Sequence, residues 1–287
     1  HLSIRRQRQM CIRDSKNSVT GGTAMQKSSL EEYLQTAEMA ARKAGSLLKD
    51  WTGKLGVRQK ATADLVTEAD VASQKAIREV LLTRYPEHGF LGEEGHEAQQ
   101  EHEFVWVVDP LDGTTNYVHA CPFFSVSIAL RRSRELLVGV VYDPIQDECF
   151  CAIHGYGAWL GDKRLQVSEI DSLSEALVVT SFPPGVQRDH PQIECFLNVL
   201  DKSQSLRRTG SAALNLAYVA SGRFDAFWAP SMNAWDVAAG VLILNESQGK
   251  CTDFENRPYW IDDPRLLSSN GTALHDQIRG CLTPLSS

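Results

Sequence analysis

The sequence predicts a mixed fold, part α+β and part α/β, and three observations predict it. Apolar residues recur at helical spacing over residues 29–53 and 70–85. Short β-branched segments follow one another between residues 104 and 153. Beyond about residue 171, strands and helices alternate. The natural partition is an N-terminal α+β unit at 25–170 and a C-terminal α/β unit at 171–287. Residues 1–24 are set apart by a net charge of +4, which leaves −11 for the rest of a chain whose total is −7. They hold no apolar core of the kind a secretory signal needs. We expect them to be a disordered tail or a non-native extension, with Met25 just ahead of the first helix.

The elements follow in order. Ser29 and Glu32 stand at capping-box spacing, and Leu30, Leu34, Ala37, Ala41, Ala44 and Leu48 mark one helical face, with Gly53 at its end. A basic segment (Lys54, Arg58, Lys60) precedes Ala63-Asp64-Leu65-Val66-Thr67-Glu68-Ala69-Asp70. The second helix is expected from Asp70 to Tyr85, stopped by Pro86. Asp64 and Asp70 read either as acids at a helix start or as functional groups. Phe90-Leu91-Gly92-Glu93-Glu94-Gly95 places an acid pair between glycines after a short strand. Strands are expected at 104–108, 125–130, 137–142 and 149–153, and a hairpin at 155–162. In the second unit come a strand at 177–180, a helix at 192–200 and an Ala-rich helix after Arg207-Arg208-Thr209-Gly210-Ser211. A strand at 224–228 and a helix at 237–247, opened by Trp235-Asp236, complete it. The late histidines and the C-terminal Ser286-Ser287 carry no pattern.

The most informative stretch is Asp109-Pro110-Leu111-Asp112-Gly113-Thr114-Thr115-Asn116. It follows the apolar run 104–108 and is expected to form a turn at that strand's end. Two carboxylates with a backbone carbonyl between them are the oxygen donors that a hard cation such as Mg²⁺ takes. The plain alternative is an ordinary Asp-Gly turn. Likewise, Gly210-Ser211 at a helix start offers N–H groups to a phosphate oxygen, or is simply a Ser cap. Were Asp64/Asp70, Glu93/Glu94, Asp109/Asp112 and Asp236 to converge, their repulsion would demand cations, which would in turn admit an anionic phosphate. Such a site suits two-metal phosphoryl hydrolysis, with a Thr hydroxyl and an Asp orienting the water.

Composition narrows the alternatives. The chain of 287 residues is 43% hydrophobic and 23% charged, as soluble globular proteins are. Its acidity argues against direct nucleic-acid binding, and no apolar run reaches the length of a membrane span. The P-loop, HExxH and GxSxG patterns are absent. Seven cysteines without CxxC or zinc-finger spacing read as reduced thiols in the cytoplasm. Cys149 and Cys151 would share one strand face as buried thiols.

The octet, Gly92-Glu93-Glu94-Gly95 and Trp235-Asp236-Val237-Ala238-Ala239-Gly240 together resemble the inositol monophosphatase family, in order and spacing, over roughly residues 28–280. The resemblance implies the layered αβαβα sandwich of the lithium-sensitive, Mg²⁺-dependent phosphatases, and a homodimer. It implies two or three Mg²⁺ per site, held by Glu93, Asp109, the Leu111 carbonyl, Asp112 and Asp236. Asp70 and Thr114, with Glu93, match the family's catalytic, water-activating positions. Gly113, Thr114, Gly210 and Ser211 match its substrate contacts, and Asp64 and Glu94 are accompanying acids. The implied substrate is inositol 1-phosphate or another small phosphorylated polyol. One departure stands out: Ala229 occupies the position, seven before Asp236, where inositol monophosphatases carry a sugar-binding Glu. Ser231 or Asn233 are candidates for that task. Histidinol phosphate, a sugar bisphosphate or a 3′-phosphonucleotide are the alternative esters, although Thr114-Thr115-Asn116 favours the inositol branch. A non-enzymatic protein of the same fold, associated with transcription as some bacterial relatives are, is the alternative of another class.

Overall fold

The computed structural model describes residues 25–52, 57–61, 64–94, 102–183 and 185–283, with the backbone alone for 57–61 and 64–67. The readings made for residues 1–24, Gly53, Lys54, Ala63, Gly95 and the side chain of Asp64 lie outside the described residues. In chain order the first elements are helix α1 (Lys27–Trp51), a small hairpin of β1 (Val57–Ala61) and β2 (Asp64–Thr67), helix α2 (Glu68–Arg84) and strand β3 (Gly89–Gly92). Then come β4 (Phe104–Asp112), the short helix α3 (Thr114–Val118), β5 (Ser125–Arg132), β6 (Glu135–Asp143), β7 (Glu148–Ile153), β8 (Gly157–Leu160) and β9 (Lys163–Arg164). The second half holds β10 (Leu177–Thr180), α4 (Pro191–Lys202), β11 (Ser205–Arg207), α5 (Ala212–Ala220) and β12 (Ala226–Ala229). It ends with α6 (Ala234–Glu246), β13 (Lys250–Thr252), β14 (Leu266–Ser269) and α7 (Leu274–Cys281).

Strands β3 to β9 form a seven-stranded sheet in sequence order, antiparallel except for the β3–β4 pair. A five-stranded sheet runs β11-β10-β12-β14-β13, with β10 parallel to both its neighbours. The alternation of side chains along each strand divides the first sheet's residues between two cores. Trp106, Val108, Ile128, Val140 and Cys151 pack with Leu34, Ala41, Ala44 and Leu48 of α1 and Ile77 and Leu81 of α2. Val107, Ala129, Val141 and Phe150 face the other way, into α5 and α6. Those two helices also meet Val179 and Phe227 of the second sheet, whose far face packs on α4 and α7 through Cys195, Val199, Leu274 and Ile278. The layers are therefore αβαβα. Each fully buried Val, Leu, Ile or Phe contributes about 1.5–3 kcal/mol. The central helix layer, buried on both sides, accordingly reads as almost uninterrupted apolar sequence (Ala238, Ala239, Val241, Leu242, Ile243, Leu244).

Close approach in that middle layer depends on glycine. A Cβ on Gly139 of β6 would lie 3.0 Å from the carbonyl oxygen of Ala239, and one on Gly240 would lie 2.6 Å from the Leu216 side chain.

Several local expectations are corrected. The helix read from Ser29 begins at Lys27, and Gln26 is its N-cap, so Ser29 lies inside the first turn with its N–H on the Gln26 carbonyl at 3.0 Å. The expected capping box does not form there. It forms instead at α6, where Asn233 is the N-cap and Asp236 the third helical residue. The octet is not a turn beyond a strand: β4 continues through Asp112. Strands β13 and β14 and helix α7 lie beyond the last helix expected from the sequence.

Candidate active site

The site is built at the carboxyl ends of β3 and β4. In β4 the pairing with β5 slips: Asp109 lies opposite Ser127 and Asp112 opposite Ser125, so Pro110 and Leu111 together face one residue, Val126. Three residues apart on a regular strand, two side chains point to opposite faces. This bulge inserts one residue and returns both acids to the same face. Pro110 is tolerated because β3 pairs with β4 only as far as Val108, so no partner strand asks for its N–H on that side. The bulge is closed internally: the Leu111 N–H donates to Asp109 Oδ1 (3.0 Å), and Thr114 Oγ1 donates to the Leu111 carbonyl (3.1 Å).

Because β3 is parallel to β4, Glu93 emerges beside Asp109, its N–H donating to the Val108 carbonyl at 3.2 Å. Gln74 of α2 grips the next residue from both sides: its amide group donates to the Glu94 carbonyl, and its Oε1 accepts from the Glu94 N–H at 3.0 Å. Carboxylate oxygens of Asp70, Glu93 and Glu94 lie within 4.8 Å of one another.

Three helices begin here, each aiming the positive end of its dipole at the acids. Helix α2 places Asp70 in its first turn and is fastened to the octet by Ser73 Oγ, which donates to the Pro110 carbonyl at 2.8 Å. Helix α6 places Asp236 in its first turn, where Oδ2 accepts from the Asn233 N–H at 2.7 Å. Its start is tied to β5 by Ser127 Oγ, opposite Asp109, donating to the Trp235 carbonyl at 3.4 Å. Helix α5 is aimed at Asp112. The Ala212 and Ala213 N–H groups donate to its two oxygens at 3.0 and 2.8 Å, and the Ser211 and Ser125 hydroxyls add two more hydrogen bonds to Oδ2.

Of the two readings of Gly210-Ser211, the structure shows the Ser cap: Ser211 is the N-cap of α5, its Oγ accepting from the Leu214 N–H at 3.3 Å, and the Ala212 and Ala213 N–H groups are engaged by Asp112. Gly210 and Gly113 nevertheless stand against each other: a Cβ on Gly113 (φ 97°) would lie 3.3 Å from the Gly210 carbonyl oxygen. Asn116 joins the two segments, its amide donating to the Phe123 carbonyl at 2.7 Å and to the Thr209 carbonyl at 2.8 Å.

The electrostatics follow from crowding. Burial, and then the charges of Glu93, Asp112, Asp236 and Asp70, push the Asp109 carboxyl well above its usual range. Burial raises Asp112 as well, but the Ser211 hydroxyl and the α5 N–H groups oppose the shift. Asp236 is pushed up to about 7 by burial, assisted by Asp112 and Glu93 and opposed by the Asn233 N–H. Carboxyls held this high are ones a divalent cation would return to their ionised form. The donors are all oxygen, carboxylates and one carbonyl, which fits Mg²⁺ in preference to a softer metal.

Of the residues expected from sequence, Asp70, Glu93, Glu94, Asp109, Leu111, Asp112, Gly113, Thr114, Gly210, Ser211 and Asp236 surround this one place. Asp64 opens β2, with its side chain undescribed. Sequence reasoning missed Ser73, Gln74, Ser125 and Asn116 as the groups that hold the acids. Only Asn116 had a signal, as the last residue of the octet. Ala229 is wholly buried at the end of β12, opposite Leu266.

Comparison with known proteins agrees with this geometry. The family model described as the inositol monophosphatase family matches residues 29–283. An inositol-1-monophosphatase of Caulobacter vibrioides is 43% identical, over 83% of this chain and 96% of its own. A protein of Pasteurella multocida named Nus factor SuhB is 41% identical, over 84% of this chain and 92% of its own. The solved structure of an inositol monophosphatase from Anabaena (Nostoc) sp. PCC 7120 superposes with a TM-score of 0.80 at 38% identity, covering 90% of this chain and 99% of that one.

Proposed function

We propose, because this chain belongs to the inositol monophosphatase family, that its acid cluster is the active site of a Mg²⁺-dependent phosphate monoesterase acting on inositol 1-phosphate. The chain is a phosphoric monoester hydrolase by family. The observation that supports this location of the site is the meeting of Asp70, Glu93, Asp109, Asp112 and Asp236, from two strands and two helix starts, around the buried carboxyl of Asp109. Glu93, Asp109, Asp112, Asp236 and the Leu111 carbonyl would hold the metal. Bound Mg²⁺ supplies positive charge for the phosphate and acidifies the attacking water.

The remaining work falls to the chain's own groups. Asp70, buried in the first turn of α2, accepts the water's proton, and the Thr114 hydroxyl orients that water from the Leu111 carbonyl. Gly113 and Gly210 let their two segments pack against each other, since a Cβ on Gly113 would meet the Gly210 carbonyl and one on Gly210 would meet the Asn116 side chain. Asn116 keeps those two segments in register. Asp112 is held by four hydrogen bonds, so its geometry is set before any ligand arrives.

Ala229 leaves selectivity for the polyol to other groups. Ser231 is exposed in the loop between β12 and α6, whereas the Asn233 amide is engaged on Asp236 at 3.3 Å. A setting in the cytoplasm is consistent with free thiols at all six described cysteines. No helix among the described residues is long and apolar enough to cross a membrane. A homodimer is the assembly we assign on family grounds.

The test is phosphate release from inositol 1-phosphate, a sugar bisphosphate, histidinol phosphate and a 3′-phosphonucleotide, with and without Mg²⁺. Mg²⁺-dependent release led by inositol 1-phosphate is expected. Release led by another ester would move the substrate and keep the chemistry. Release from none, by folded protein in Mg²⁺, would favour the binding role suggested by the relative's name Nus factor SuhB.

A further inference from the structure

Among the described residues, one other group of ligating side chains comes together outside the acid site. Cys149 and Cys151 stand two residues apart on β7 and so share a face, the one covered by α1. Their sulfurs are 3.5 Å apart, and Cys151 Sγ donates to Glu38 Oε1 of α1 at 3.0 Å. All three donor atoms lie within 4.8 Å of one another. Both cysteines are buried, at 4% and 3% exposure, while Glu38 is half-buried and gives a route inward from solvent.

We propose that Glu38, Cys149 and Cys151 form a second metal site, distinct from the acid cluster and suited to a thiophilic cation such as Zn²⁺. The spacing carries the argument. Two sulfurs bound at about 2.3 Å to a tetrahedral ion stand roughly 3.8 Å apart, and the oxygen of a third ligand stands about 3.5 Å from each. The observed separations of 3.5 and 3.0 Å need to open by a few tenths of an ångström. A disulfide at about 2.05 Å would need a much larger closure between side chains fixed on one strand. Two thiolates and a carboxylate around Zn²⁺ leave one negative charge. Arg42 lies one turn along α1 from Glu38, with its guanidinium on Asp147 at 2.8 Å. Soft sulfur donors select against Mg²⁺, so the two sites sort cations by chemistry. They are also apart: β7 is the third strand from β4, roughly 14 Å at ordinary strand spacing. An ion here would clamp α1 to the first sheet.

The test adds Co²⁺ and then Zn²⁺ to the full chain with its acid site saturated by excess Mg²⁺. The expected result is thiolate-to-cobalt charge-transfer absorption at one equivalent, displaced by Zn²⁺, with a higher melting temperature in Zn²⁺. Cys151→Ser should abolish the absorption and Glu38→Gln should weaken it, while Mg²⁺-dependent turnover stays unchanged in both. Absorption that persists in Cys151→Ser would place the metal on other cysteines and overturn the proposal. Should the variants fail to fold, X-ray absorption of the zinc-loaded wild type decides. Two sulfur neighbours uphold the site; a shell of oxygen alone, or no zinc retained, refutes it.

Discussion

Asp109 and Asp112 are three residues apart in one bulge, yet they stand in opposite electrostatic circumstances. Asp109 is surrounded by acids, and Asp112 by N–H and O–H donors. Their asparagine variants should therefore diverge in stability while sharing a loss of activity. Asp109→Asn removes repulsion and keeps an oxygen for the Leu111 N–H. In the absence of Mg²⁺ it should melt a few degrees higher than wild type, about 2–4 °C per kcal/mol for a chain of this size. Asp112→Asn turns an NH₂ toward N–H donors and leaves buried groups unpaired, at a cost of about 1–3 kcal/mol. Turnover in Mg²⁺ should fall at least about a hundredfold in both. Thermal melts and phosphate release measure the two effects separately. The identity of these acids was legible in the octet because two carboxylates, a Gly and a Thr recur there in a specific order. Their partners were not. Ser125 meets Asp112 through a cross-strand register, and Ser211 meets it across 99 positions of chain, and neither relation leaves a local trace.

At the scale of elements, local pattern located most helices and strands because burial on one face imposes a period. It failed where the signal was short or the competing choice was local. Ser29 and Glu32 have capping-box spacing, but the helix gains another half turn by starting at Lys27. Strands β13 and β14 are three and four residues long, too short to show alternation. They are nevertheless joined to α7 by a buried histidine. The His275 ring nitrogens bond Ser269 Oγ at 2.8 Å and Thr252 Oγ1 at 3.0 Å, and burial lowers its pKa to about 4. The unfolded chain binds that proton near pH 6.5, so the unfolded state takes up protons that the folded state refuses. The contribution is fully present above about pH 6.5 and is lost as pH falls through about 4. It amounts to at most on the order of 3 kcal/mol. Denaturant unfolding of wild type and His275→Gln between pH 7 and pH 4 should show the difference between them changing over that window. A difference independent of pH would contradict the assignment.

For the whole molecule, the five layers explain why the site lies where it does. The bulged end of β4 meets α2 from one outer layer and α5 and α6 from the middle layer, so three helix starts point at one place. That convergence was not legible from periodicity, which reports a face but not the neighbour it packs against. It entered only through the family resemblance. The layers also predict how cations act on stability. A protein that concentrates buried acids is relieved when a divalent ion binds, by about 2.7 kcal/mol at a hundred times the dissociation constant. Wild type should melt at a higher temperature in Mg²⁺, and Asp109→Asn should show a much smaller increase. Equal increases in the two proteins would place the ion elsewhere.

The most direct measurement is the Mg²⁺ dependence of phosphate release from inositol 1-phosphate by wild type and by Asp109→Asn side by side. Saturable Mg²⁺-dependent release by wild type, lost in a variant that melts no lower in the absence of Mg²⁺, is the predicted result. Release that persists in folded Asp109→Asn, or that needs no divalent cation in the wild type, would contradict the account.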